Sequence, residues 1–218
     1  MVITMKSNSI KKLVIYAMFT AIVLLLGLTS LGYIYLPMAA IVTVHIPVIL
    51  GGFILGIKGG AYLGFIFGLT SLIQCFMAPD AIAAIVLGTD SGFGVYNVLL
   101  IICVLFLPRV LTGLFSSMVY RGLSKLDKSR LFAMPVAAVT GALTNTVFLL
   151  GALALLAFDQ ACVAFGAENA EGLFAVIIGL VTSNGLIEAG VAAVICTAVG
   201  KALFEYTKRH PLGIEGGM

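Results

Sequence analysis

Six apolar stretches, each close to the length a lipid bilayer demands, take up most of this chain, and turn-forming residues separate them. A membrane-spanning helix needs roughly 20 apolar residues, which predicts spans at about 11–31, 38–57, 59–78, 95–121, 131–158 and 172–207. The separators hold Gly32 and Pro37, then Lys58, Gly59 and Gly60, then a glycine-rich stretch with Asp80 and Asp90. They continue with the charged SKLDKSR and a segment bearing Asp159, Glu168 and Glu171. Only 10% of the 218 residues are charged and 61% are apolar. A soluble domain carries about 25% charged residues, so this set cannot build a water-facing surface. The predicted fold is therefore an all-α membrane protein, a single six-transmembrane-helix bundle whose main solvent is lipid.

Charge placement predicts the orientation. With alternating spans, Lys6, Lys11, Lys12, Lys58, Arg121, Lys125, Lys128, Arg130, Lys201, Lys208 and Arg209 fall on one side. The opposite loops carry Asp80, Asp90, Asp159, Glu168 and Glu171 and no Lys or Arg. The positive-inside rule then places the protein in the cell membrane as a multi-pass chain with both termini cytoplasmic. The first apolar run lacks a cleavage site followed by a polar region and reads as a retained helix. The formal net charge of +3, without aromatics interleaved in a basic patch, gives no reason to expect a nucleic-acid partner.

Arg109 is the exception to the charge pattern, since it lies inside the apolar run VLFLPRVLTGLF. A charge at the bilayer centre costs about 2.5–3.5 kcal/mol on insertion scales. At 1.5 Å per residue Arg109 and Glu188 sit roughly 21 Å and roughly 24 Å below the starts of their spans, and Asn145 roughly 20 Å below the outer end of its own. Three polar groups at one depth are cheaper facing one another than facing lipid. Asn184 shares a helix face with Glu188. Thr43 and His45, Gln74, and Asn97 add polar groups toward the outer ends of spans two, three and four. Together these eight residues are candidates for a ligand cavity opening outward. A structural ion pair between Arg109 and Glu188 accounts for those two equally well. Asn and Thr can simply link helices, and His45 can be a buried imidazole without a ligand.

Small residues recur at helical spacing: Ala17 and Ala21, then Gly52 and Gly56, then Gly60, Gly64 and Gly68. Such ladders permit close backbone approach in lipid, either inside the bundle or against a partner. The four cysteines show no ligand spacing and read as packing residues. GGFILGIKGG is no phosphate loop, because Lys58 does not follow the second glycine of such a motif. No HExxH or GxSxG occurs, so a transport subunit is expected, not an enzyme, with no cofactor and no ATPase site. Glu188 keeps an autonomous proton-coupled carrier open.

The stretches HIPVILGGFILGIKGGAYLGFIFGLTSLI (45–73), FLPRVLTGL (106–114), TGALTNTVFLLG (140–151) and SNGLIEAGVAAVI (183–195) resemble the substrate-binding S components of energy-coupling factor (ECF) vitamin transporters. The similarity covers about 11 to 205, and Ala17 and Ala21 match the first-span motif that such proteins set against their coupling subunit. The resemblance implies a six-helix bundle that captures a vitamin from outside and passes it to a transmembrane coupling subunit driven by two ATPases. It implies a ligand beneath the loops at 32–37, 79–94 and 159–171. Within that family the HIPV, PR and LTNT stretches are most similar to pantothenate-type members, with riboflavin, pyridoxine-type and cobalamin-binding relatives on the same scaffold.

Overall fold

The computed structural model describes residues 7–35, 40–88, 94–127 and 129–209. Lys6, Pro37, Asp90, Lys128 and His210, with parts of two predicted loops, lie outside the described residues. Among the described residues the regular structure is helical apart from one short hairpin. Helix α1 spans Ser7–Leu28, and strands β1 (Tyr33–Tyr35) and β2 (Ala40–Val42) pair antiparallel with Tyr33 opposite Val42. Helix α2 spans His45–Met77 and α3 Ala81–Leu87. Helix α4 (Val95–Leu100) runs through a π-helical segment at Ile101–Phe106 into α5 (Leu107–Leu123). After α6 (Ala133–Leu156) and α7 (Phe158–Phe165), α8 (Ala170–Leu180) runs through a second π segment, Val181–Gly185, into α9 (Leu186–Arg209).

Among the described residues five helical runs are long and apolar enough to cross a membrane: Ile10–Leu28, His45–Met77, Val95–Leu123, Ala133–Leu156 and Ala170–Arg209. The second of these contains most of both stretches predicted as spans two and three. Its backbone leaves the helical region at Gly56, with φ 76 and ψ −171. A side chain resists that conformation and glycine does not. In an unbroken helix Gly52 and Gly60 would stand about 12 Å apart. Here a Cβ on Gly52 would lie 3.4 Å from the Gly60 Cα, so the chain doubles back at Gly56. The stretch predicted to be helical from 38 instead begins as strand β2, and the helix starts at His45. The β-branched and aromatic residues of YIY and AIV favour a pleated conformation over a helix.

The glycine ladder of α2 is internal. A Cβ on Gly60 would collide with the Gly113 carbonyl of α5, and one on Gly64 with the Arg109 carbonyl. Gly68 faces Phe106 in the same way. Backbones therefore touch along the α2–α5 crossing, as small residues allow in lipid. Around it Ile49, Phe53, Leu63, Phe67, Tyr120 and Met134 form one buried core, with Ala137, Ala138 and Ala192 closing the α6 and α9 faces.

Helix α1 is peripheral: 17% of its apolar window is buried, against 78% for that of α2. Ala17 and Ala21 are both exposed, alongside Leu13, Val14, Met18, Ile22 and Leu25. Exposed positions elsewhere are equally apolar, as at Phe65, Ile102, Phe174 and Val194. This is the surface expected of helices in lipid.

Between α5 and α6, Asp127 organises the connection. Its carboxylate accepts from the Ser129 hydroxyl (2.7 Å) and from the amides of Phe132 (2.7 Å) and Ala133 (3.0 Å) at the start of α6. Arg130, read from the sequence only as one of the one-sided basic residues, donates to the Tyr120 hydroxyl (2.6 Å) and lies over the Phe204 ring of α9 at 4.8 Å.

Candidate ligand-binding cavity

A cavity of about 370 Å³ lies between the ends of α2, α5, α6 and α9, beside the hairpin. That volume falls in the range of small-molecule sites. Ser71, Arg109, Asn145 and Glu188 line its buried part, whereas the lining residues Ala78, Asp80 and Ala81 are exposed. Leu105, Leu149, Leu150, Phe165 and Leu180 supply apolar wall. Each loop expected to cover a ligand contributes: Tyr33, then Asp80 and Ala81, then Phe165.

Arg109 is 7% exposed. Pro108 has no N–H to give the carbonyl four residues earlier, that of Val104. The π segment widens the helix just there, and Arg109 Nη1 donates to the Val104 oxygen at 2.7 Å. The guanidinium also lies 5.5 Å from the centre of the Phe67 ring, a cation–π distance. Its Nε has no hydrogen-bond partner.

Glu188 does not pair with Arg109. Among the described residues the ion pair within 4.0 Å is Lys201 with Glu205, at 3.6 Å. Glu188 instead accepts from the Val42 amide (2.7 Å, Oε1) and from the Thr146 hydroxyl (3.3 Å, Oε2). The structural ion pair considered from depth alone is thus replaced by two separate anchorages. Equal depth placed both residues at one level, but each found a backbone partner nearer to hand.

Of the eight candidate residues, Gln74, Arg109, Asn145, Asn184 and Glu188 come together on the cavity wall. Thr43, His45 and Asn97 do not. The Thr43 hydroxyl donates to the Leu31 carbonyl (3.1 Å) at the base of the hairpin. Asn97 caps α4, accepting from the Gly94 amide (2.9 Å) and donating to the Val86 carbonyl of α3 (3.2 Å). His45 is buried at the start of α2 and is not on the wall. Thr43 lies at the hairpin base ahead of α2, whereas His45 and Asn97 lie at the starts of the helical runs His45–Met77 and Val95–Leu123, off the wall. Tyr33, Ser71, Asp80 and Thr146 line the wall without having been among the eight. Ser71 and Thr146 were legible as neighbours of Gln74 and Asn145, one or three residues away on the same helix.

Three wall residues carry buried polar atoms with no hydrogen-bond partner: Ser71 Oγ, Arg109 Nε and Asn145 Oδ1. Buried polar groups are paired in the great majority of cases. An unpaired hydroxyl, cationic donor and amide acceptor around one void suit a ligand with an anionic group and further hydrogen-bonding groups.

The family described as ECF transporter, substrate-specific component, matches residues 11–200. The chain is also 30% identical over 209 residues to the pantothenic acid transporter PanT of Lactococcus lactis subsp. cremoris, covering 91% of this chain and 96% of that protein. It is 28% identical over 221 residues to the pantothenate transporter PanT of Leuconostoc mesenteroides subsp. mesenteroides, covering 97% of this chain and all of that protein. With apolar spans around a small polar cavity and a family match along most of its length, this chain belongs to the substrate-specific components of ECF transporters.

Proposed function

We propose that the protein captures pantothenate from outside the cell and delivers it for ATP-driven import. The observation that carries this reading is the buried Arg109, whose Nε is unpaired beside the equally unpaired Asn145 Oδ1 and Ser71 Oγ. Pantothenate offers a carboxylate for the guanidinium, and its amide and two hydroxyls suit Asn145, Ser71, Gln74 and Asn184. A charge-assisted bond to a carboxylate is roughly twice as strong as a neutral one. The names of the two relatives point to the same vitamin.

In this reading the bundle crosses the membrane six times, with the doubled-back α2 supplying two crossings and both termini in the cytoplasm. The one-sided distribution of Lys and Arg supports that orientation. The chain has no nucleotide-binding motif, so energy comes from two ATPase subunits through a transmembrane coupling subunit. The exposed face bearing Ala17 and Ala21 is where that subunit docks.

Calorimetry of the full chain in nanodiscs with pantothenate, riboflavin, pyridoxine and cobalamin tests the substrate. Binding of pantothenate alone is expected, and tight binding of another of the four with none of pantothenate would overturn the assignment. Uptake into liposomes is expected only when the coupling subunit, both ATPases and ATP are present. Uptake by this chain alone, abolished by an uncoupler, would favour a proton-coupled carrier using Glu188.

A further inference from the structure

We propose that Glu188 is a positioning residue, which holds strand β2 in the cavity wall and does not act on the ligand through its charge. This rests on reading the cavity as the vitamin site. In the hairpin, the Thr43 amide donates to the Gly32 carbonyl at 2.9 Å, and Tyr33 stands opposite Val42. In an antiparallel ladder hydrogen-bonded and non-hydrogen-bonded pairs alternate, so the amide of Val42 points away from β1. An outward-facing edge amide among packed apolar helices needs an acceptor. Glu188 supplies one at 2.7 Å, from a helix 146 residues further along the chain.

The second carboxylate oxygen takes the Thr146 hydroxyl of α6. One side chain therefore ties β2, α6 and α9 together, and Val42, Thr146 and Glu188 all line the cavity. Both oxygens have partners, and Arg109 lies beyond ion-pair distance. Glu188 thus leaves the guanidinium to the ligand while fixing the hairpin that carries Tyr33 and Val42. Losing this tie frees the hairpin, and a ligand held behind it escapes sooner.

Two conservative variants separate reach from charge. Glu188→Gln keeps the length and an acceptor oxygen, whereas Glu188→Asp keeps the charge and withdraws it by one methylene. The readouts are exchange of the Val42 amide in the ligand-free full chain by NMR and the dissociation rate of radiolabelled pantothenate. We expect Glu188→Asp to speed amide exchange by about tenfold and to hasten pantothenate release, as loss of the hydrogen bond to the Val42 amide implies. Glu188→Gln is expected to restore most of both. The proposal is overturned if the Gln variant is as defective as the Asp variant or more so, or if Val42 exchange is the same in Glu188→Asp as in the unaltered chain. Failure of the unaltered chain to bind pantothenate would remove the substrate assignment, while the exchange experiment would still decide the tie to β2.

Discussion

Arg109 gives one of its protons to the carbonyl of Val104, the carbonyl four residues before Pro108, which has no N–H to offer it. The proline and the arginine act as one device. The proline breaks the ladder, the π segment absorbs the ring, and the arginine fills the vacancy and is aimed by it. Arg109 Nε stays unpaired in the cavity wall.

Arg109→Ala should weaken pantothenate binding about tenfold to 150-fold, the equivalent of one hydrogen bond to a charged group. Arg109→Lys should recover only part of this, because a point charge cannot serve Val104 and a carboxylate in a fixed fork. Pantothenol, which replaces the carboxylate by an alcohol, should bind the unaltered protein weakly and gain nothing from the arginine. Calorimetry with both compounds checks this, and equal affinities for the two would deny Arg109 its role.

Ala17→Trp should abolish vitamin uptake by the complete transporter while leaving binding by the isolated chain intact. The side chain at 17 is exposed on α1, so a bulky indole disturbs nothing within the bundle. Loss of binding together with uptake would mean that α1 supports the cavity directly.

Gly56→Ala should lower thermal stability by about 1–3 kcal/mol, because φ 76 with ψ −171 is a conformation that side chains resist. Gly151→Ala is the matched control. A Cβ there meets nothing within 4 Å, and its melting temperature should hold or rise slightly. Thermal unfolding followed in detergent compares the two.

Asp127 predicts an acid limit for the connection between α5 and α6. The Ser129 hydroxyl, helped by the amides of Ala133, Phe132 and Arg130, holds its carboxyl down at about 2, against an ordinary 3.8. A depressed folded value means that the stabilisation is complete above the ordinary value and disappears as pH falls through the folded one. Protection of the Phe132 and Ala133 amides, corrected for intrinsic exchange, should therefore persist down to about pH 4 and decline toward about pH 2. Asp127→Asn should be less protected at neutral pH and show no such step.

Depth counting put Arg109, Asn145 and Glu188 at one level, and these three line one cavity with Gln74 and Asn184, because each lies on a long helical run, where residue number converts directly to height. Thr43, counted within span two, belongs to the hairpin base, and Asn97 stands at the start of the run Val95–Leu123 with its side chain turned to capping α4. Neither hairpin nor cap leaves a mark in hydropathy, since AIV is as apolar as any span and YIY, in the separator before it, carries no charge. The partners of Arg109 and Glu188 were hidden for another reason. Depth says which side chains share a level and nothing about backbone groups there, and both residues chose a backbone group. The proline before Arg109 was the readable hint, because it always strands the carbonyl four residues back. The exposure of Ala17 and Ala21 was not readable either, since small-residue spacing fits an inner seam and an outer one alike.

The seam between α2 and α5 decides where the buried cation stands. Gly64 lets one main chain rest on the carbonyl of Arg109 itself, so the height of the guanidinium is set by peptide against peptide, with no intervening side chain to repack. The buried cation is thus mounted on a stiff joint, while Tyr33, Val42 and Phe165 sit on short strands and a short helix in the cavity wall. Substitutions at those three positions reshape the cavity without moving the guanidinium.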